Sequence, residues 1–255
     1  MLIDSHAHLD AVEFDADRDA VIARARAAGV AAQVIPAIAI AGFTKLRDLC
    51  ASQAGLHPAY GLHPMYLSEH RPEHLDSLRE WIERERPVAV GECGLDFFVD
   101  GLDHDLQRVY FRRQLELARE FALPLILHAR RAIDEVIASI RRAGALRGVV
   151  HSFSGSAEQA QQLWKLGFCI GIGGPVTYER ARRLREIVAS MPAEFLLLET
   201  DSPDQPLSSH RGERNEPAHL REVLDVIAQL RGESADALAA ATSSNVARLF
   251  NLQIG

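Results

Sequence analysis

The chain has 255 residues, 47% of them hydrophobic and 25% charged, with a formal net charge of −7. This is the composition of an ordinary globule, at the length of about 250 residues that a closed barrel of alternating strands and helices needs. It excludes a protein that coats nucleic acid with a broad basic surface, though not one local cationic site, and no apolar run approaches the roughly 18 residues of a membrane span.

The first strand, Leu2 to Ser5, runs directly into His6-Ala7-His8. On an extended chain alternate residues share a face, so both imidazoles can converge on one zinc-like cation. An Ala/Arg/Asp-rich helix is predicted from about Asp15 to Ala28, with Gly29 as its stop. Ala32 to Pro36 reads as the second strand and Phe43 to Ala54 as a helix, followed by a weaker third strand over Tyr60 to His63. Pro72 opens a helix through Arg86 that turns Trp81 and Ile82 inward, and Val88 to Glu92 is the fourth strand. A long helix from Leu106 to Phe121 ends at Leu123-Pro124. Strand five, Leu125 to His128, and strand six, Val149 to His151, both end in histidine, with a helix through Ala143 between them. Ser156 and Gln159 form a capping box for a helix ending near Leu166. Phe168 to Ile172 is strand seven, Glu179 to Ser190 a helix and Phe195 to Glu199 strand eight, before two final helices over Pro217 to Leu230 and Ser234 to Phe250.

Cys50, Cys93 and Cys169 stand far apart with no C-x-x-C. Neither a disulfide framework nor a cysteine zinc site is expected, which favours a reducing cytoplasm. The N-terminus enters the first strand without a basic, apolar leader. No linker, repeat or low-complexity segment divides residues 1–255, so a single domain is expected, with no obligate protein partner and no membrane.

Eight nearly continuous apolar strands separated by helices imply a parallel sheet covered on its outside, and the economical solution is a (β/α)8 TIM barrel. Sites in that fold lie at the C-terminal ends of strands. His6, His8, Glu92, His128, His151 and Asp201 all fall there. One such histidine is ordinarily a satisfied rim residue. Six ionisable groups in register at five strand ends each carry a desolvation cost that a shared metal ion removes. Four histidines with two carboxylates favour Zn, Mn, Fe or Ni over an all-oxygen Mg or Ca cage, while Mg stays compatible with use in the reaction.

The segments Ser5-His6-Ala7-His8, Gly61-Leu62-His63-Pro64, Gly91-Glu92-Cys93-Gly94-Leu95-Asp96, Leu127-His128-Ala129-Arg130, His151-Ser152-Phe153-Ser154-Gly155 and Glu199-Thr200-Asp201-Ser202-Pro203 together resemble the TatD family of metal-dependent hydrolases. The resemblance extends to Asn245-Val246 and is nearest the subgroup of uncharacterised hydrolases. It implies a TIM-barrel hydrolase, with deoxyribonuclease activity in some members. It further implies one metal held by His6, His8, Glu92 and Asp201 and a second by His128 and His151, with Glu92 bridging. Cys93, where an aliphatic residue is usual, and Phe97-Phe98, where a tyrosine is common, depart from the family pattern beside these ligands and bear on substrate preference.

The chemistry also follows from the residue types. Two divalent ions about 3.5 to 4 Å apart can share a water, lower its pKa toward neutrality and polarise a phosphodiester or acyl oxygen. Glu92 is the carboxylate in a central strand-end position and is the expected bridge. Asp201 is placed to ligate and to accept the attacking water's proton.

On the substrate side, Arg130 and Arg131 follow strand five, while His210, Arg211, Arg214 and Asn215 crowd the loop after strand eight, where phosphate sites are commonly built. The alternative for that loop is a solvated turn capping the helix at Pro217. His63 is placed to reach the mouth, and His57, His70, His74, His104 and His219 read as surface residues. Gly171, Gly173 and Gly174 lack the spacing of a dinucleotide fingerprint and suggest close backbone approach, and Ser154 lacks a nucleophile elbow. The leading expectation is a two-metal phosphodiesterase acting on DNA ends in the manner of an exonuclease. The alternatives are a hydrolase of small amides, lactones or phosphoesters, and a metal-binding protein without catalysis.

Overall fold

Strands apolar on both faces need an interior layer on one side and a helical layer on the other. The computed structural model describes residues 1–253 and has this arrangement. Its strands are β1 (Leu2–Asp4), β2 (Val30–Pro36), β3 (Leu56–Tyr60), β4 (Ala89–Asp96), β5 (Leu125–Arg130), β6 (Gly148–Val150), β7 (Phe168–Ile172) and β8 (Leu196–Leu198). They pair in parallel in sequence order from β1 to β8. The helices are α1 (Arg18–Ala27), α2 (Phe43–Ser52), α3 (Glu73–Glu85), α4 (His104–Glu120), α5 (Ile133–Ala143), α6 (Ala157–Lys165), α7 (Arg182–Ser190), α8 (Leu220–Arg231) and α9 (Ala235–Phe250). The result is a TIM-barrel fold. No helix among the described residues is long and apolar enough to cross a membrane.

Two apolar layers hold it together. Ile3, Val34, Ala59, Ala89, Ile126, Val149, Cys169 and Leu197, one from each strand, fill the barrel interior. Val246, Leu249 and Phe250 of α9 pack on this layer, and Ser243 Oγ reaches the Met1 carbonyl at 3.2 Å, so α9 closes the end where the strands begin. Asn245 pins it there by donating to the carbonyls of Ala193 and Leu196 at 2.7 and 3.0 Å. A larger layer lies between the strands and the helices.

The two outer strands of the series, β8 and β1, are joined mainly just past their ends. Ser5 N–H donates to the Leu198 carbonyl at 2.9 Å, Asp201 N–H to the His6 carbonyl at 2.9 Å and His8 N–H to the Ser202 carbonyl at 2.8 Å. Between them lies the buried Asp4 carboxylate, which accepts from Thr200 Oγ1 at 2.6 Å, Thr200 N–H at 3.0 Å and His6 N–H at 3.2 Å. Burial pushes its carboxyl up to about 7 in spite of these donors. The join fixes Asp201 opposite the two histidines that follow β1.

Several boundaries differ from the sequence-based expectation. The third strand is Leu56–Tyr60, not Tyr60 to His63: Gly55 turns the chain at φ +84° and Leu56 pairs with Gln33. β4 continues past Glu92 to Asp96 through an irregularity between Val90 and Cys93, so Glu92 lies within the strand. β5 also runs on, to Arg130, whereas β6 and β8 stop before His151 and Glu199. Short 3-10 turns at Val12–Phe14, Gly174–Thr177 and Pro217–His219 delay the starts of α1, α7 and α8. The Ser156–Gln159 capping box is present at α6.

Thr200→Val preserves side-chain shape but leaves Asp4 Oδ2 without its hydroxyl donor. Stability should fall by roughly 1 to 3 kcal/mol, read as a lower urea midpoint at unchanged m-value. An unaltered midpoint would mean that the backbone bonds alone carry the join.

Candidate metal centre

Glu92 lies inside β4 at 1% exposure, and its two oxygens face different histidines. Oε2 stands 3.2 Å from His6 Nε2 and 3.5 Å from His8 Nε2, and Asp201 Oδ1 completes the group at 3.4 and 3.6 Å from the same two nitrogens. The two imidazole nitrogens are 3.1 Å apart. Ligand atoms about 2.0 to 2.2 Å from a tetrahedral ion stand about 3.3 to 3.6 Å from one another. The two imidazole nitrogens thus stand near coordination-shell distances from each other and from both carboxylate oxygens, and the N₂O₂ chemistry of the four groups suits a zinc-like ion.

Oε1 faces the other way, 2.7 Å from His151 Nε2 and 3.1 Å from His128 Nδ1, with those two nitrogens 3.3 Å apart. His128 is oriented by Asp96, whose Oδ2 lies 2.8 Å from His128 Nε2 while Oδ1 accepts from the N–H groups of Phe98 and Val99. His8 is oriented likewise by the Pro36 carbonyl, 3.2 Å from Nδ1. Carboxylates and carbonyls in this position fix the tautomer of a metal-binding histidine. His63 also reaches the centre. Its Nδ1 accepts from Met65 N–H at 3.1 Å, so in the neutral ring the proton is on Nε2, which donates to Glu92 Oε1 at 2.8 Å.

Ionisation follows from burial and from these neighbours. Burial alone would raise Glu92, but the charges of His151, His63 and His6 and the hydrogen bond from His128 hold it well below the usual carboxylate range. Burial works against charge on His8 and His151 as well, yet Glu92, helped by Asp201, lifts them to about 9 and about 10. His6, buried and stacked 3.9 Å from His151, is pushed down to about 4 by burial and by that neighbour's charge. Without metal, His8 and His151 therefore carry protons at the positions where cations would sit.

A cavity of about 920 Å³ opens over the centre and is lined by His8, His63, Glu92, His128, His151 and Asp201, with Arg130 on its wall. His6 lies just beneath, fully buried. Backbone strain collects at this mouth: Arg131, Ser152, Asp201 and Gln205 have φ of 54°, 46°, 56° and 52°, left-handed values that side chains other than glycine rarely adopt. Gly171 packs against the Glu199 carboxylate with no room for a Cβ, the close approach expected of the glycines here.

The loop after β8 behaves differently from the expectation. Arg214 pairs with Asp17 at 2.8 Å and lies over the Phe14 ring, and Arg211 is exposed outside the cavity. Asn215 is fully buried and donates to the carbonyls of Thr200 and Asp204 at 2.9 Å each. His210 stacks on His219 at 3.9 Å. Arg214, Asn215 and His210 tie the loop down, and neither they nor Arg211 line the cavity. His70, expected at the surface, is buried because its Nε2 donates to the His63 carbonyl at 2.9 Å. His57 and His219 are half-buried.

Four polar neighbours of the centre lie outside the set of site residues expected from the sequence. Asp96 follows Glu92 by four residues and so shares its face of the strand, a signal readable once β4 is extended. Glu199 is buried beside His151, accepts from Ser152 N–H at 2.5 Å and is raised by burial to about 8. Gln205 Nε2 donates to Asp201 Oδ2, and the Ser152 hydroxyl lies 3.4 Å from the same oxygen. Ser152 stands in one of the segments that carry the family resemblance, while nothing local in the sequence marks Gln205.

A family model described as TatD related DNase matches residues 3–251. The chain is 41% identical over 253 residues to the uncharacterised metal-dependent hydrolase YjjV of Escherichia coli K12, covering 98% of each chain. The crystal structure of YjjV superposes with a TM-score of 0.95 at 39% identity, covering 99% of this chain and 98% of that one. The 3'-5' ssDNA/RNA exonuclease TatD of Pantoea sp. strain At-9b is 38% identical over 264 residues, covering 98% of this chain and all of the relative.

Cations that occupy these donor sets must displace protons from His8 and His151. Titrating the metal-free protein with Mn²⁺ at pH 7.5, in buffers of different ionisation enthalpy, should show about two protons released per chain, fading as the pH passes through 9 to 10. Heats independent of buffer at pH 7.5 would show that the ions bind elsewhere.

Proposed function

Since the chain belongs to the TatD family of metal-dependent hydrolases, we propose that it is a phosphodiesterase that uses a two-metal-activated water and removes nucleotides from the ends of single-stranded DNA. The observation that carries this reading is the division of Glu92: Oε2 serves His6 and His8 while Oε1 serves His128 and His151. The exonuclease name of the Pantoea relative and the arginine on the cavity wall support DNA as substrate.

His6, His8, Asp201 and Glu92 Oε2 would hold one divalent cation, and Glu92 Oε1, His128 and His151 the other. When bound, such a pair lowers the pKa of a shared water and polarises the phosphoryl oxygen. The chain's own residues do the rest. Asp96 and the Pro36 carbonyl hold His128 and His8 with the correct nitrogen inward. Asp201 keeps Oδ1 toward His6 and His8, while Oδ2, beside the Gln205 amide and the Ser152 hydroxyl, is the oxygen left to take the attacking water's proton. His63 presents a neutral N–H donor beside the reacting group.

The metal-loaded protein should release mononucleotides from single-stranded DNA, and chelation should abolish the activity. Asp201→Asn retains shape and one ligand oxygen but cannot take a proton. Its metal content should fall modestly, kcat should fall at least roughly 100-fold, and activity should recover as pH rises. Near-parental kcat at neutral pH with metals retained would place the proton elsewhere, with His63 the next residue to test.

A further inference from the structure

The cavity over the metal centre is charged unequally around its rim. Asp10, Glu13 and Asp204 come from the loops after β1 and β8, while Arg130 ends β5 and Arg180, Arg182 and Arg183 surround the start of α7. β5, β6 and β7 are consecutive in the sheet, so the arginines occupy one sector of the rim and the acids come from another.

Some arginines of this chain, whose net charge is −7, meet carboxylates, as Arg24 does with Glu216, Arg108 with Glu135 and Arg214 with Asp17. The four rim arginines are among those that form no ion pair among the described residues, and they are the ones that line the cavity. Three of them are held by neutral partners instead. Arg130 Cζ lies 3.7 Å from the Phe98 ring centroid, Arg180 Cζ lies 5.1 Å from that of Tyr178, and Arg183 donates to the Ser154 carbonyl at 2.9 Å. A guanidinium that meets only a ring face or a carbonyl keeps its charge available to an anion. Arg182 and Arg183 also open a helix whose first turn holds no acid, where positive charge is the unfavourable sign. An anion in this sector relieves both conditions.

We infer that Arg130, Arg180, Arg182 and Arg183 are the phosphate track of the substrate, along which the nucleotides next to the scissile phosphate run from Glu92 past Ser154 and Gly155 to the start of α7. The loops after β8 and β1 repel the backbone, so the strand enters from the β5–β7 side alone. This deepens the phosphodiesterase reading and rests on it. The track takes the place of Arg211 and Arg214 as the expected phosphate contacts.

The test uses metal-loaded protein and a fluorescent single-stranded phosphorothioate oligonucleotide, with binding read by anisotropy across a salt series. Removing two phosphate contacts with Arg182→Ala/Arg183→Ala should lower the log–log salt slope by about 1.4 and weaken binding roughly 10- to 30-fold at 0.1 M salt. Hydrolysis of bis(4-nitrophenyl) phosphate should be unchanged, which also shows that the variant is folded. Arg182→Lys/Arg183→Lys should keep most of the slope, and Arg211→Ala should change neither quantity. Parental binding and slope in the double alanine variant, with tight binding by the parent, would overturn the track while sparing the phosphodiesterase reading. A parent that hydrolyses the small ester but binds no oligonucleotide would overturn the track and the DNA reading together.

Discussion

One buried carboxylate, Glu92, shared between two pairs of histidines, is the interaction on which the rest of the structure depends. A carboxylate at 1% exposure costs several kcal/mol to desolvate unless opposite charge and hydrogen-bond donors surround it. Here the compensation comes from strand ends distributed around the barrel: His6 and His8 after β1, His128 on β5 and His151 after β6. In the metal-free protein the positive charge is protons on His8 and His151. In the proposed loaded protein it would be the cations, so that folding, protonation and metal binding would act on the same few atoms. Asp96, four residues beyond Glu92 on the same strand, holds the His128 ring that faces that carboxylate.

The join between β8 and β1 matters for the same reason. Strand ladders pair each neighbour from β1 to β8, and the last gap is closed by a cluster of side-chain and backbone bonds around Asp4 and Thr200. Asp201 lies within that cluster, with its N–H on the His6 carbonyl. Its left-handed backbone, φ 56°, is held there and brings Oδ1 to the two histidines. A site assembled across the closing seam makes the seam part of the chemistry, which accounts for the density of polar contacts in an otherwise apolar barrel.

Much of this was legible in the sequence because it is written in local patterns. The apolar runs, the histidines that follow them and the Ser156–Gln159 box are each contained within a few residues. What escaped reading depends on partners far away in the chain. His57 and Pro58 interrupt the apolar character of the third strand, and only pairing with β2 makes it a strand. Arg214 looked free until Asp17, nearly two hundred residues earlier, came to meet it. Arg180, Arg182 and Arg183 carry no local signal within the helix expected over Glu179 to Ser190, and only barrel closure sets them over the centre. Asp96 was hidden by ending β4 four residues early, a boundary error with a chemical consequence.

The central claim is that Glu92 bridges two cations. Extended X-ray absorption fine structure on protein loaded with two equivalents of Mn²⁺ measures this directly, because a bridged pair adds a metal–metal scattering shell. The account predicts that shell at about 3.5 to 4 Å and its loss in Glu92→Gln. A spectrum with nitrogen and oxygen neighbours alone, or a metal–metal shell unchanged in that variant, would contradict it.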